Sequence, residues 1–394
     1  MRYEDVINQR VANVPPSGIR KFFDIVRQMP DAISLGVGEP DFVTPWAIRD
    51  AAIQSIEEGR TQYTSNWGLE SLREKIAAYL RMRCHVTYSP KDEVLVTVGA
   101  SEGIDLALRA LVCPGDEVLI PEPSYVSYAP CVTFAGGTAV PVITRAEDEF
   151  ALTPDALRAA LTPRTKALIL PYPNNPTGAI MEKEDLEKLV PVILKHDLLV
   201  ISDEIYAELT YGGKNNFSIA ALDGMRERTI VLNGFAKSFS MTGWRLGFAA
   251  GPAVLIQAMR KVHAYVIMCA PAPSQYGAIE ALRDDALCDA DIARMRAAYD
   301  ERRKYLLGEF NRLGMTCFEP RGAFYVFPSI GLTGLTSQQF CERLLFEGGV
   351  AVVPGDAFGE SGEGFVRISY AYSMEQLKIC IGKIEEFLRK RGCI

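Results

Sequence analysis

Lys237 lies in the run N-G-F-A-K-S-F-S-M-T-G-W-R-L-G, residues 233–247, behind an apolar stretch, Thr229–Leu232, and eight residues before Arg245. A primary amine can hold an aldehyde as an imine, and a guanidinium beside glycines can hold that molecule's phosphate. A lysine in a loop of small residues is otherwise an ordinary solvated side chain. The residues elsewhere in the chain decide between the two.

Four other places carry candidate chemistry. Gly99-Ala100-Ser101-Glu102-Gly103 opens a helical pattern directly after an apolar run. Free N–H groups at such a helix start suit a phosphate, although Ser101 could equally be a plain N-cap. Pro121-Glu122-Pro123-Ser124-Tyr125 brings an aromatic ring to a strand end, for stacking on a planar ligand or for packing alone. In Y-P-N-N-P-T-G, Tyr172 to Gly178, Asn175 could donate its amide to a ligand or close an Asx turn. In V-I-S-D-E-I-Y, Asp203 ends an apolar run with Tyr206 three residues on. An acid in that position calls for a buried cation, and a protonated ring nitrogen is one.

These residues need elements to position them. Val94–Val98, Glu117–Ile120, Ala167–Leu170, Leu198–Ser202 and Thr229–Leu232 read as buried strands, short, apolar and bounded by Gly, Pro or Asp. Helix-period segments such as Glu102–Leu111 and Lys183–Lys195 lie between them, which predicts an α/β fold with a mostly parallel sheet. Ligands of such sheets bind at the carboxyl ends of the strands, where the residues above fall. Beyond a charged helical segment, Asp289–Leu313, the runs Gly322–Phe327 and Phe365–Ser369 read as strands of a smaller α+β unit, with the proline-rich N-terminal arm packed against it. The expected division is a large domain over 46–288 and a small one built from 1–45 and 289–394.

Composition narrows the function. A net charge of −7 disfavours nucleic acid and anionic membrane surfaces as partners, and no apolar run is long enough for a membrane span. Nine cysteines without a C-x-x-C pair suit a reducing cytoplasm. His85, His196 and His263 are far apart, have no metal-ligand spacing and read as structural or surface residues.

In this order and spacing, N-N-P-T-G, S-D-E-I-Y and K-x-x-x-M-T-G-W-R-L-G resemble the class I/II aminotransferases, the fold type I enzymes that use pyridoxal 5'-phosphate. The resemblance runs from S-L-G-V-G-E-P-D-F at residue 34 to F-V-R-I-S-Y at 365 and is nearest to the aspartate and aromatic subgroup. The segment S-G-I-R-K-F-F and the glycine before Phe235 are similar to the aminotransferase A enzymes. The resemblance implies an internal aldimine on Lys237, which then acts as the base of a ping-pong transfer to 2-oxoglutarate. It implies Asp203 at the ring nitrogen, Tyr206 and Asn175 at the ring oxygen, and Tyr125 stacked on the ring. Arg245, with the N–H groups of Ala100 and Ser101, would take the phosphate, joined by Tyr63 from the neighbouring subunit of a homodimer. Arg367 and the Gly38 backbone would hold the substrate carboxylate, alongside Asn175.

Two departures from the family pattern bear on these expectations. Gly234 and Ala236 stand where members often carry serines, removing hydroxyl donors to phosphate. Ser101 stands where some aspartate-specific members carry a lysine, which leans the reading away from strict aspartate specificity. Phe22, Phe23, Tyr63 and Tyr325 are candidates for the side-chain pocket. The same constellation serves carbon–sulfur lyases and aminocyclopropane-carboxylate synthases, while the intact Lys237 disfavours a non-catalytic effector-binding module.

Overall fold

The structure is a computed structural model and describes residues 2, 6–16, 29, 32–283 and 285–394. Phe22 and Phe23 lie outside the described residues, within the stretch 17–28 of the N-terminal arm.

In chain order the strands are β1 (Ile33–Ser34), β2 (Val94–Thr97), β3 (Glu117–Glu122), β4 (Thr138–Ile143), β5 (Thr165–Leu170), β6 (Leu199–Asp203), β7 (Thr229–Gly234) and β8 (Gly247–Ala250), followed by β9 (Tyr325–Val326), β10 (Val350–Ala351), β11 (Val353–Pro354) and β12 (Val366–Ser369). Strands β2 to β8 form one sheet in the order β2-β8-β7-β6-β5-β3-β4. All its pairings are parallel except the two made by β8. The five expected strands are all present, and the sheet is mostly parallel as the alternation of runs predicts.

Helices cover both faces, so β7 is buried throughout and β5 and β6 are buried beyond their first residues, in apolar runs without alternation. Ile104, Leu108 and Ile256 pack with Leu95, Ile201 and Ile230 on one side. Leu186, Leu189 and Ile193 of the helix Lys183–Lys195 pack with Leu168 and Val200 on the other. Two strands escape the apolar-run rule. At the sheet edge, β4 is half exposed and carries Pro141, which an edge strand tolerates. The other, β8, is the four-residue G-F-A-A, too short to read as a strand by itself.

A second layer uses chain from both ends. Strand β1 pairs with β10, and Leu35 N donates to Ala351 O at 2.8 Å. Strands β11, β12 and β9 form an antiparallel sheet. The expected run Gly322–Phe327 shortens to β9 because Ala323 takes a positive φ of 56° just before it. Leu35, Phe310, Phe340, Leu344, Ile368 and Ile384 share one core here, and it reaches Tyr206 and Leu209 beside the large sheet.

Candidate active site

The parallel strands all end at one rim of the large sheet, and the candidate residues follow those ends. After β2 the chain turns at Gly99, with φ +76°, straight into the helix Gly99–Leu111. The N-cap is Val98, without a side-chain bond, and Ser101 lies inside the first turn. The reading of Ser101 as an N-cap therefore fails, and the N–H groups of Ala100 and Ser101 belong to the unpaired first turn. A Cβ on Gly247 would lie 2.6 Å from the Ala100 nitrogen, so only glycine leaves that N–H clear.

Arg245 reaches the same rim because β8 runs against its neighbours. The start of an antiparallel strand lies beside the ends of the parallel ones, which explains the eight-residue interval from Lys237 to Arg245. Arg245 itself adopts φ 51°, donates Nη1 to Thr242 O at 3.0 Å and approaches Gly99 so closely that a Cβ there would lie 3.0 Å from Nη2.

After β5, Asn174 closes the turn: its Oδ1 accepts from Thr177 N at 3.2 Å and from Thr177 Oγ1 at 2.9 Å. The Asx turn is thus made by Asn174, and Asn175 is released to face the cavity, where its Oδ1 accepts from Arg367 Nη1 at 2.9 Å. At the end of β6, Asp203 is 5% exposed. Its Oδ2 accepts from the Tyr128 hydroxyl at 2.8 Å and its Oδ1 from Ile205 N at 3.3 Å. Burial raises the Asp203 pKa, opposed by these two hydrogen bonds and by Lys237.

Lys237 follows β7 and donates Nζ to Gly38 O at 2.6 Å. Its ammonium lies 5.6 Å from the ring centres of both Tyr206 and Phe324. Burial pulls its pKa down to about 8; Arg367 and Arg245 add to the shift, while Glu39 and Asp203 oppose it. Opposite stands Arg367, 3% exposed and sandwiched between Tyr325 and Phe358, 4.6 and 4.9 Å from their ring centres. Its Nη2 donates to Gly36 O, while Nε is buried without a hydrogen-bond partner. Tyr206 and Tyr325 share a hydroxyl contact of 3.0 Å, and burial pushes the Tyr206 phenol well above its ordinary pKa. A Cβ on Gly38 would lie 2.6 Å from the Tyr325 hydroxyl, which explains glycine there.

One cavity of about 340 Å3 is lined by Gly38, Ala100, Ser101, Tyr125, Asn175, Asp203, Tyr206, Lys237, Arg245 and Arg367 together. Every described residue proposed for catalysis, cofactor or carboxylate binding is among them except Tyr63, which is 81% exposed and does not line the cavity of its own chain. Tyr325 also lines it. The sequence reading passed over Tyr128, Thr242 and Glu39. Tyr128 had a signal: it comes one helical turn after Tyr125, at the start of the helix Tyr128–Ala135, so both rings can face one site. Gly234 is explained as well. A Cβ there would lie 2.8 Å from Gly247 Cα and 2.9 Å from Leu246 O, so the crossing of β7 and β8 excludes the serine common in the family.

The donor set fits an aldehyde cofactor carrying a phosphate and a basic ring nitrogen. There is an amine of lowered pKa, a buried acid in need of a cation, and a helix start with an arginine beside glycines. This is the equipment of a group-transfer enzyme on an α/β scaffold, and comparison with known proteins agrees. Residues 30–384 match the family described as aminotransferase class I and II. An aspartate aminotransferase of Pyrococcus abyssi is 48% identical over 98% of this chain and 99% of its own. The aromatic-amino-acid aminotransferase 2 of Thermococcus litoralis is 44% identical over 98% of this chain and all of its own. A crystal structure of an aromatic aminotransferase from Pyrococcus horikoshii superposes with a TM-score of 0.91 at 46% identity, covering 95% of this chain and 100% of that one.

The chain belongs to the class I and II aminotransferases. It is a transaminase with the family's fold, moving amino groups between amino acids and oxo acids.

Proposed function

We propose that the cavity holds pyridoxal 5'-phosphate and passes the amino group of an L-amino acid to 2-oxoglutarate in two half-reactions. The observation that carries this reading is the convergence of Lys237, Asp203, Arg245 and Arg367 on one cavity, each from in or beside a different strand. When bound, the cofactor supplies an aldehyde carbon and a ring that accepts electrons.

The residues divide the remaining work. Lys237, whose amine is neutral above about pH 8, would hold the cofactor and move a proton at the substrate Cα. Asp203, its oxygens fixed by Tyr128 and Ile205 N, would face the protonated ring nitrogen, a cation that offsets the cost of burying its charge. Tyr206 remains a hydroxyl because burial disfavours its phenolate, so together with Asn175 it can donate to the ring oxygen. Tyr125 would stack on the cofactor ring, and Arg245, the N–H groups of Ala100 and Ser101 and the Thr242 hydroxyl would hold its phosphate. Arg367, its guanidinium held between two rings, would take the substrate α-carboxylate together with the Gly38 backbone.

We assign the chain to a cytoplasmic homodimer. Free cysteines among the described residues support a reducing compartment, and no described helix is long and apolar enough to cross a membrane. Tyr265 is 94% exposed, and Asn66 Nδ2, bonded to Met268 O at 2.8 Å, ties its segment to the loop of Tyr63. Exposed aromatic and aliphatic residues grouped in this way suit a second copy, whose Tyr63 would reach the neighbouring phosphate. We also divide the chain at 46–288 for the cofactor-binding domain, with 1–45 and 289–394 as the small one; the shared core of Leu35 with Ile368 and Ile384 supports this.

For the donor, the cavity's only cations among the described residues are Lys237, Arg245 and Arg367, and each already has a role. That favours donors with uncharged or aromatic side chains over strict aspartate use. The test is spectroscopic. Adding an L-amino acid to the loaded protein should shift the absorbance of the bound cofactor, and 2-oxoglutarate should shift it back. Release of ammonia without that reversal would replace transamination by elimination.

A further inference from the structure

The segment Gly355–Gly364 joins β11 to β12 and carries Phe358, one of the two rings that clamp Arg367. It is docked on the opposite, sheet-borne wall at two points. The Ser124 N–H donates to Phe358 O at 3.0 Å, and the Ser361 N–H donates to Glu122 Oε1 at 3.0 Å. Space for the Glu122 carboxylate exists only because residue 359 is glycine. With φ +122°, a Cβ there would lie 2.0 Å from Glu122 Cδ. Glu122 ends β3, and its own carbonyl is held by Thr144 N at 2.9 Å and Thr144 Oγ1 at 3.0 Å, so the latch is anchored in the sheet.

We propose that Glu122 is a positioning residue for Arg367, acting through Gly359 and Phe358. A bidentate grip on a carboxylate requires the guanidinium plane to be held in one orientation. Tyr325 holds one face of that plane and Phe358 the other. Gln338, Ser337 and Ile330 hold the two ends of the loop that carries Phe358 within its own wall, while its described hydrogen bonds to the sheet wall are the one to the Glu122 carboxylate and the one between backbones at Ser124. The same four-residue stretch, Glu122 to Tyr125, bears the ring at the cofactor side of the cavity. It therefore sets the spacing between the cofactor ring and the carboxylate clamp. The inference rests on the reading of Arg367 as that clamp.

The experiment compares Glu122→Ala, Glu122→Gln and Phe358→Leu in the cofactor-loaded enzyme. Glu122→Ala should raise KM about tenfold for an L-amino acid and for 2-oxoglutarate alike, with kcat and the cofactor spectrum near wild type. Glutamine keeps an acceptor for Ser361 N–H and should restore KM. Phe358→Leu should raise KM on its own, and combining it with Glu122→Ala should add little, because the two act in series. An unchanged KM in Glu122→Ala, or a fall in kcat without a rise in KM, overturns the proposal. Should Glu122→Ala fail to fold, an unchanged KM in Phe358→Leu overturns it instead. If Arg367→Ala leaves KM unchanged, the clamp reading itself fails, a result separate from any outcome at Glu122.

Discussion

The two walls of the cavity are built by different rules. One wall is the rim of the seven-stranded sheet, where Ala100, Tyr125, Asn175, Asp203 and Lys237 each follow a strand end and Arg245 precedes one. Backbone ladders fix all six positions relative to one another. The facing wall collects Tyr325 and Arg367 from strands of two and four residues and Gly38 from the loop after β1, all far apart in sequence. It is held to the first wall by side-chain bonds: Arg367 to Asn175, Tyr206 to Tyr325 and Lys237 to Gly38 O. A rigid rim suits bond-making chemistry, and a facing wall joined by a few breakable contacts suits a group that must admit and release substrate. Variants of the rim should therefore change kcat, and variants of the facing wall should change KM.

The sharpest break falls on the rim. On the roles proposed for Lys237, as the amine that holds the aldehyde and the base that moves the proton, Lys237→Ala should lower turnover by about 10⁴-fold or more. The protein should still take up cofactor without a covalent bond, since Arg245 and the helix start remain, and dialysis followed by absorbance reads this directly. Activity within tenfold of wild type would remove Lys237 from the chemistry.

The same contrast explains what the sequence revealed. Rim residues were legible because a buried parallel strand is a continuous apolar run, and polar residues at or just beyond its end fall at the ligand edge of the sheet. Asp203 and Lys237 lie in such positions. Arg245 was legible from its place beside glycines eight residues after Lys237, although the strand it precedes was not, because G-F-A-A is too short for periodicity to mark. Arg367 was still less visible. Nothing local separates it from an arginine on a solvated strand, and its burial arises from Tyr325, Phe358 and Gly36, 9 to 331 residues away in the chain. Tyr128 was missed because its partner, the Asp203 carboxylate, is 75 residues distant.

On the facing wall, Arg367→Ala removes a charge-assisted partner common to every substrate. KM should rise about 10²-fold for all amino acids and for the oxo acid, with kcat changed far less. Initial-rate kinetics across a donor panel measure this, and a rise confined to one donor would contradict it. Back on the rim, Tyr128→Phe deletes one hydrogen bond to Asp203 while Ile205 N keeps the other. A loss of about tenfold in kcat is expected, with KM close to wild type. A KM effect alone would place Tyr128 on the substrate side.

The smallest effect tests how the two walls interact electrostatically. In the cofactor-free protein, burial depresses the Lys237 ammonium to about 8, with Arg367 pushing the same way and Glu39 the opposite way. Below that pH the amine holds its proton and cannot attack an aldehyde; above it the lone pair is free. Imine formation with added pyridoxal 5'-phosphate, followed by absorbance, should therefore rise through about pH 8 and level off above it. Arg367→Ala withdraws a cation and should move the midpoint up. Glu39→Gln withdraws an anion and should move it down. Because both groups belong to the facing wall or its approach, opposite shifts would show the substrate wall setting the protonation of the rim's amine. Shifts in the same direction would mean that altered burial, rather than charge, controls Lys237.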